Sequence, residues 1–116
     1  MTVTIYHNPD CGTSRNVLAI LQAAGYAPEV VSYLDAGWQR DQLTELFAAA
    51  GITPRQALRE TKSPANDLGL LEPGVDDDVL IDAMLAHPIL VNRPFVVTPK
   101  GTRLCRPSEL VLDLLD

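Results

Sequence analysis

Apolar positions along the chain change from short extended runs to helical spacing and back again. Residues 2–6 form a β-branched and aromatic run that ends at turn-forming residues, which predicts a first strand. Residues 13–24 place apolar side chains on one helical face, and Gly25 then stops the helix. Residues 29–34 predict a second strand, so the first third of the chain is a βαβ unit with parallel strands. The apolar helix positions are Val17, Ile20, Leu21 and Ala24.

The middle of the chain, residues 36–90, is predicted to be a helical insert. Residues 40–50 carry apolar side chains on one face, and Thr53-Pro54 caps a shorter helix that we expect to reach Glu60. Residues 64–69 are expected to add a further turn. Residues 76–85 form a last helix of the insert, because three acidic residues in its first turn suit the helix dipole.

The end of the chain returns to extended runs. Residues 95–98 and 102–105 predict two strands joined by Pro99-Lys100-Gly101, a hairpin pattern. A final helix is expected from Pro107, with Leu110, Val111 and Leu114 facing inward. The order βαβ, helical insert, ββα predicts an α/β fold in which helices flank a four-stranded mixed sheet. This arrangement is thioredoxin-like, and residues 1–116 are expected to form a single domain.

Composition narrows the possible functions. The chain is 47% hydrophobic and 21% charged, which is ordinary for a globular protein. Its net charge of −6 argues against nucleic acid as a partner. No apolar stretch reaches the length of a membrane span and the first residues lack a leader pattern, so we expect a cytoplasmic protein without a membrane partner. The two cysteines and two histidines have no zinc-ligand spacing, and no metal is expected.

Cys11 lies where the first strand ends and the first helix begins, in "TIYHNPDCGTSRN". Backbone N–H groups at a helix start lack intrahelical partners, and the helix dipole adds positive charge there. Both effects favour a thiolate, and the same amides suit a tetrahedral oxyanion. His7 is close enough in sequence to supply a positive charge or a hydrogen bond, Ser14 to offer its hydroxyl, and Arg15 to add positive charge. The spacing therefore predicts a nucleophilic cysteine.

The same stretch excludes two well-known kinds of cysteine enzyme. Cys11-Gly12-Thr13-Ser14 is C-x-x-S, so the second cysteine of a dithiol oxidoreductase is missing. Cys11 and Arg15 are spaced C-x₃-R, which is not the C-x₅-R loop of cysteine phosphatases. An oxidised or adducted Cys11 consequently needs a thiol from outside the chain or, as the less favoured alternative, the thiol of Cys105. Cys105 is expected to be a packed strand residue.

Two separate motifs, "YHNPDCGTSRNVL" and "HPILVNRPFVVTPKGTRLCRPSE", resemble those of the glutaredoxin-coupled arsenate reductases. The resemblance extends over essentially the whole chain and agrees with the thioredoxin-like fold. It implies that Cys11 is the catalytic nucleophile and that His7 and Ser14 lower its pKa. It further implies a set of oxyanion-binding arginines, and a proline in cis conformation facing the cysteine. The three arginines are Arg59, Arg93 and Arg106, and the cis-proline is Pro94.

The resemblance implies reduction of arsenate to arsenite through an adduct on Cys11. Glutathione is the implied co-substrate and glutaredoxin the implied protein partner. No bound cofactor is expected, and we expect the chain to be a monomer. Two alternatives remain open on the residues themselves. One is a non-enzymatic, redox-sensing regulator of the same fold, against which the three arginines argue. The other is a thiol oxidoreductase that acts on glutathione mixed disulfides.

Overall fold

The computed structural model describes residues 2–115. The chain divides into two compact units, and each is described by itself. The first contains residues 2–36 and 93–115, and the second is Gly37–Asn92. The single domain with a helical insert, expected from the sequence, stays a prediction.

The first unit contains one mixed sheet of four strands. These are β1 (Thr4–His7), β2 (Glu29–Ser32), β3 (Phe95–Thr98) and β4 (Gly101–Leu104), in the order β2-β1-β3-β4. β1 and β2 are parallel, whereas β3 is antiparallel to both β1 and β4. The α/β class and the thioredoxin-like four-stranded mixed sheet predicted from the sequence are confirmed.

Helix α1 (Gly12–Ala23) connects the two parallel strands and helps to close the core of this unit. Val17 and Leu21 on its inner face are fully buried and Ile20 is partly buried. Ala24, expected on the same face, is exposed because it is the residue at which the helix ends. The buried cluster consists of Val3, Ile5, Val17, Leu21, Val96, Cys105, Val111, Leu114 and Leu115.

The last helical segment of the chain is a 3₁₀ helix, Ser108–Leu114, and not the expected α-helix. Its buried side chains, Val111 and Leu114, are three residues apart. That spacing matches the three residues per turn of a 3₁₀ helix, so both side chains enter the core. Leu110, expected on the inner face, is only half-buried.

Strand β2 is shorter than the sequence predicted, because the chain turns after Ser32. A short helix, α2 (Tyr33–Ala36), replaces the last two expected strand residues. The Ser32 hydroxyl donates a hydrogen bond of 3.0 Å to the Asp35 carboxylate, a local bond that favours a helical turn over an extended chain.

The second unit is helical. It contains α3 (Arg40–Ala50), α4 (Pro54–Ala57), α5 (Asp77–Ala86) and a 3₁₀ helix, Pro88–Leu90. Its fully or nearly fully buried side chains include Leu43, Phe47, Leu80, Met84 and Leu90. Within residues 2–115, no helix is both long enough and apolar enough to cross a bilayer.

One expectation for this unit was wrong in extent. Helix α4 ends at Ala57 rather than Glu60, because Leu58 pairs with Val91 as an isolated antiparallel bridge. The backbone N–H of Asn92 also donates to the Ala57 carbonyl, at 2.8 Å. These extended pairings use backbone groups that a longer helix would need. Residues 64–69 add a turn, as expected, in which the Leu68 N–H donates to the Pro64 carbonyl at 3.0 Å.

We expect Leu21→Ala to lower the free energy of unfolding by about 2–5 kcal/mol, because the removed side chain is fully buried and leaves a cavity. Leu112→Ala is the matched control, since its side chain is 56% exposed and its loss should cost less than about 0.5 kcal/mol. Urea unfolding curves of both variants measure the difference. Similar losses in the two variants would contradict the core described above.

Candidate active site

Cys11 is held in the short loop between β1 and α1. It is the N-cap residue of α1, with an extended backbone (φ −98°, ψ 121°), and its side chain is only 8% exposed. Its own N–H donates to the Asn8 carbonyl at 3.1 Å. The amides of the following first turn have no intrahelical partner, and the helix dipole places positive charge beside the sulfur.

His7 and Ser14 form a buried pair beside this loop. The His7 Nδ1 and the Ser14 Oγ are 2.6 Å apart and share a hydrogen bond. Burial, and secondly the charge of Arg15, lower the pKa of His7, so the imidazole is neutral at neutral pH. Of the two roles that the sequence left open for His7, the geometry therefore favours a hydrogen bond, and its partner is Ser14.

Several groups compete over the ionisation of Cys11. Burial raises the pKa of the thiol. The backbone N–H of Ser14, the charge of Arg93, and hydrogen bonds from Arg106 and Arg93 lower it. Together these lowering effects exceed the effect of burial, so the pKa of Cys11 is below its ordinary value. The Ser14 amide falls short of a conventional capping hydrogen bond, yet it still favours the thiolate. Ser14 therefore acts on the sulfur through its backbone, whereas the sequence suggested its hydroxyl, which is bonded to His7.

The sheet brings two arginines to the same end of the unit as Cys11. Tyr6 pairs with Phe95 across β1 and β3, and Phe95 pairs with Leu104 across β3 and β4. Arg93 and Arg106 lie two residues outside those paired positions, so both leave the sheet at the end where β1 leads into the Cys11 loop. Strand register therefore brings the backbones of Arg93 and Arg106 to the end of the sheet that lies beside the Cys11 loop.

The guanidinium of Arg106 contacts both the sulfur and the neighbouring backbone. Its Nη1 lies 3.7 Å from Cys11 Sγ and donates to the Arg93 carbonyl at 3.0 Å. The carbonyl bond fixes the direction of a long and otherwise exposed side chain. Arginine stays charged at all physiological pH values, so its effect on the sulfur persists throughout that range.

Pro94, for which the family resemblance implied a cis bond, is buried and follows a cis Arg93–Pro94 peptide bond. Its carbonyl accepts a hydrogen bond from the Cys105 N–H at 2.9 Å. A second cis bond, Arg106–Pro107, was not anticipated from the sequence. Two of the described arginines thus each precede a cis-proline.

Arg59 belongs to the second unit, where it is held by local bonds. It is 8% exposed and follows the end of α4. Its N–H donates to the Leu90 carbonyl at 2.7 Å, its Nε donates to the Thr61 carbonyl at 3.0 Å, and its own carbonyl accepts from the Ser63 hydroxyl at 2.6 Å. These bonds restrict both its backbone and its side chain.

Cys105 is chemically different from Cys11. It is fully buried in the core of the first unit, and this burial raises the pKa of its thiol to about 12. The thiol is therefore protonated at physiological pH and has little nucleophilic character. Arg103, nearby on β4, donates to the Asp113 carboxylate at 2.6 Å in an exposed ion pair. Cys105 is packed in the core as expected, although it lies one residue beyond the end of β4.

Asn8 and Arg15 also shape the loop, and sequence reasoning gave neither of them this role. Arg15 Nη1 donates to the Pro9 carbonyl at 2.7 Å, and the Asn8 Oδ1 accepts from the Asp10 N–H at 3.0 Å. The available signal was the strand–turn–helix junction, where asparagine side chains commonly bond the backbone two residues on. In the described part of the chain, no group of three or more His, Cys, Asp or Glu side chains is arranged to hold a metal ion.

A family model described as the ArsC family matches residues 6–114. The chain belongs to the ArsC family. Among curated relatives, arsenate reductase ArsI2 of Synechocystis sp. is 66% identical over 98% of this chain and 81% of its own length. The arsenate reductase of Rhizobium meliloti is 62% identical over 99% of this chain and 82% of its own.

Solved structures agree with this ArsC-family assignment. An arsenate reductase from Vibrio cholerae superimposes with a TM-score of 0.93 and 39% identity, covering 99% of this chain and 98% of that one. A putative arsenate reductase from Yersinia pestis gives a TM-score of 0.89 and 41% identity, covering 96% and 98% of the two chains. The fold of the ArsC-family chain is therefore shared over nearly its full length.

Removing the guanidinium of Arg106 should raise the pKa of Cys11, because a neighbouring positive charge favours the thiolate. Ultraviolet absorbance of the thiolate, followed against pH in Arg106→Ala, measures the change. Arg103→Ala is the matched control, since Arg103 pairs with Asp113. An equal shift in both variants would show that Arg106 has no special place beside the sulfur.

Proposed function

We propose that this ArsC-family protein is an arsenate reductase that converts arsenate to arsenite, with Cys11 as the nucleophile. The observation that carries the proposal is a cysteine sulfur at a helix N-terminus, with Arg106 at 3.7 Å and a pKa lowered by Ser14, Arg93 and Arg106. The names of its curated relatives support arsenate as the substrate. Glutathione and glutaredoxin are proposed as the source of electrons, following the family resemblance of the sequence motifs.

The main physical difficulty is to bring an anionic nucleophile to an anionic substrate. We assign this task to Arg93 and Arg106, with Arg59 as a third oxyanion ligand on the strength of the motif resemblance. Each guanidinium presents a planar fork of donors that fits two oxygens of a tetrahedral oxyanion. The chain carries a net charge of −6, but screening beyond about 8 Å at physiological salt leaves the local positive charge dominant.

In the first step, the Cys11 thiolate forms a bond to arsenic. One arsenic–oxygen bond breaks, and that oxygen leaves as water after accepting protons. The product is a covalent Cys11–arsenic(V) adduct, so no electrons have yet reached arsenic. Positive charge from Arg93 and Arg106 beside the sulfur stabilises the negative oxygens as the adduct forms.

In the second stage, two external thiols supply the electrons. The thiol of glutathione displaces another oxygen from arsenic as water and forms a sulfur–arsenic bond. A glutaredoxin thiolate then attacks the glutathione sulfur, and the electron pair of that sulfur–arsenic bond stays on arsenic. Arsenic(V) becomes arsenic(III), while glutathione and glutaredoxin become a mixed disulfide. Water finally releases arsenite and restores the Cys11 thiolate.

The buried thiol of Cys105 supports this dependence on external thiols. With a pKa of about 12, Cys105 does not supply a thiolate to resolve an adduct on Cys11. A glutathione-dependent reaction fits the cytoplasm, where glutathione keeps thiols reduced, and we propose that location for the protein, as a monomer. A redox-sensing regulator, by contrast, has no need for a cluster of oxyanion-binding arginines such as Arg59, Arg93 and Arg106.

We expect Cys11→Ser to lower arsenate reduction by at least about a thousandfold, because an alcohol is a far weaker nucleophile than a thiolate. The assay contains arsenate, glutathione and glutaredoxin, and Cys105→Ala is the matched control that should retain activity. Full activity in Cys11→Ser would exclude Cys11 as the nucleophile. A folded wild-type protein without arsenate turnover would favour the regulator, and turnover of a glutathione mixed disulfide alone would favour the oxidoreductase.

Arg93→Ala should reduce kcat/KM for arsenate by about a hundredfold or more, because it removes a charge that acts on the reacting sulfur. Arg103→Ala should leave kcat/KM within about twofold of wild type, since its loss disrupts only an exposed ion pair. Steady-state kinetics with varied arsenate concentration separates the two variants. Equal losses of kcat/KM in the two variants would mean that Arg93 contributes only to the net charge of the protein and does not act on the sulfur directly.

A further inference from the structure

Asn8 is a buried polar residue at the centre of the Cys11 loop. It is 4% exposed and directly follows β1. Its side-chain Oδ1 accepts a hydrogen bond of 3.0 Å from the Asp10 N–H. Its carbonyl accepts from the Cys11 N–H at 3.1 Å, and its own N–H donates to Ser14 Oγ at 3.1 Å. One residue thus contacts the loop tip, the nucleophile and the first turn of the helix.

The side-chain bond determines what the two backbone bonds do. By closing a turn onto the Asp10 N–H, the Asn8 amide fixes the backbone direction of residue 8. That direction aims its carbonyl at the Cys11 N–H and its N–H at the Ser14 hydroxyl. Without the side-chain bond, the exposed Pro9 and Asp10 gain conformational freedom, and Cys11 is no longer fixed at the helix start.

We propose that Asn8 is a positioning residue that fixes the Cys11 sulfur at the N-cap of α1; this inference rests on the proposed role of Cys11 as the nucleophile. Asn8 does not touch the reacting atoms. It occupies the Cys11 N–H through its carbonyl, so the amides that face the sulfur and an incoming anion are those of the first helical turn. It also holds Ser14, whose backbone N–H favours the thiolate.

The chain contains a matched polar residue at the other end of the same sheet. Thr98 is 6% exposed, and its hydroxyl accepts from the N–H two residues on, Lys100, at 3.1 Å. The Thr98 hydroxyl also donates to the Leu114 carbonyl at 2.8 Å. Thr98 is the last residue of β3. The first residue of the strand, Phe95, lies at the opposite end, beside the Cys11 loop. Loss of Thr98 therefore tests structural damage without disturbing that loop.

The experiment measures the rate at which iodoacetamide alkylates Cys11 as a function of pH, in the full chain. We expect Asn8→Ala to raise the apparent pKa of Cys11 by about one pH unit, which lowers the thiolate fraction near neutral pH up to tenfold. Asn8→Ser should raise the pKa of Cys11 by less than Asn8→Ala does, because the serine hydroxyl accepts the same Asp10 N–H from a shorter side chain. Thr98→Ala should lower the melting temperature and leave the pKa of Cys11 unchanged.

A wild-type pKa in folded Asn8→Ala would overturn the proposal, as would an equal shift in Thr98→Ala. Where Asn8→Ala does not fold, Asn8→Ser decides: a pKa raised by less than one unit supports the proposal, and an unchanged value overturns it. Alkylation needs no arsenate, so the result is separate from the proposed function. A wild type that alkylates through a low-pKa thiolate but does not reduce arsenate would refute the proposed function and leave the role of Asn8 intact.

Discussion

The central constraint in the first unit is that the Cys11 sulfur is largely shielded from water, yet its surroundings favour the thiolate. Burial alone would keep the Cys11 thiol protonated, as it does for Cys105, whose pKa rises to about 12. The difference between the two thiols lies in what surrounds them. Cys11 is at a helix start and has the Ser14 amide, Arg93 and Arg106 beside it, whereas Cys105 is packed among apolar side chains in the core. The surroundings of the two thiols therefore move their pKa values in opposite directions.

These surroundings come from residues that are far apart in sequence. Arg106 follows Cys11 by 95 positions, yet the two are in contact because β3 pairs with β1 on one side and β4 on the other. A slip of one residue in either pairing would move the flanking arginines and reverse the faces of every strand side chain. The apolar core that fixes the register thus also fixes the electrostatics of the sulfur. Packing and reactivity are consequently not independent in this protein.

Much of this was predictable from the sequence, and the failures have physical causes. The strand–loop–helix pattern located Cys11 correctly at the start of α1, since apolar period and turn residues are local signals. The role of Ser14 was assigned to the wrong group, because sequence does not show whether a hydroxyl or a backbone N–H faces a neighbour. Strand β2 was predicted too long because the bond between Ser32 and Asp35 is a local competitor that residue propensity does not reveal.

The two contacts of Arg106 have different dependence on the chemical state of the protein. Attraction to the sulfur disappears once Cys11 forms a neutral covalent bond, whereas the bond to the Arg93 main-chain oxygen is indifferent to what Cys11 carries. A long cationic side chain tethered in this way keeps its place after the charge that attracted it has gone. The bond to the Arg93 carbonyl therefore keeps a positive charge beside residue 11 whether or not its sulfur is ionised.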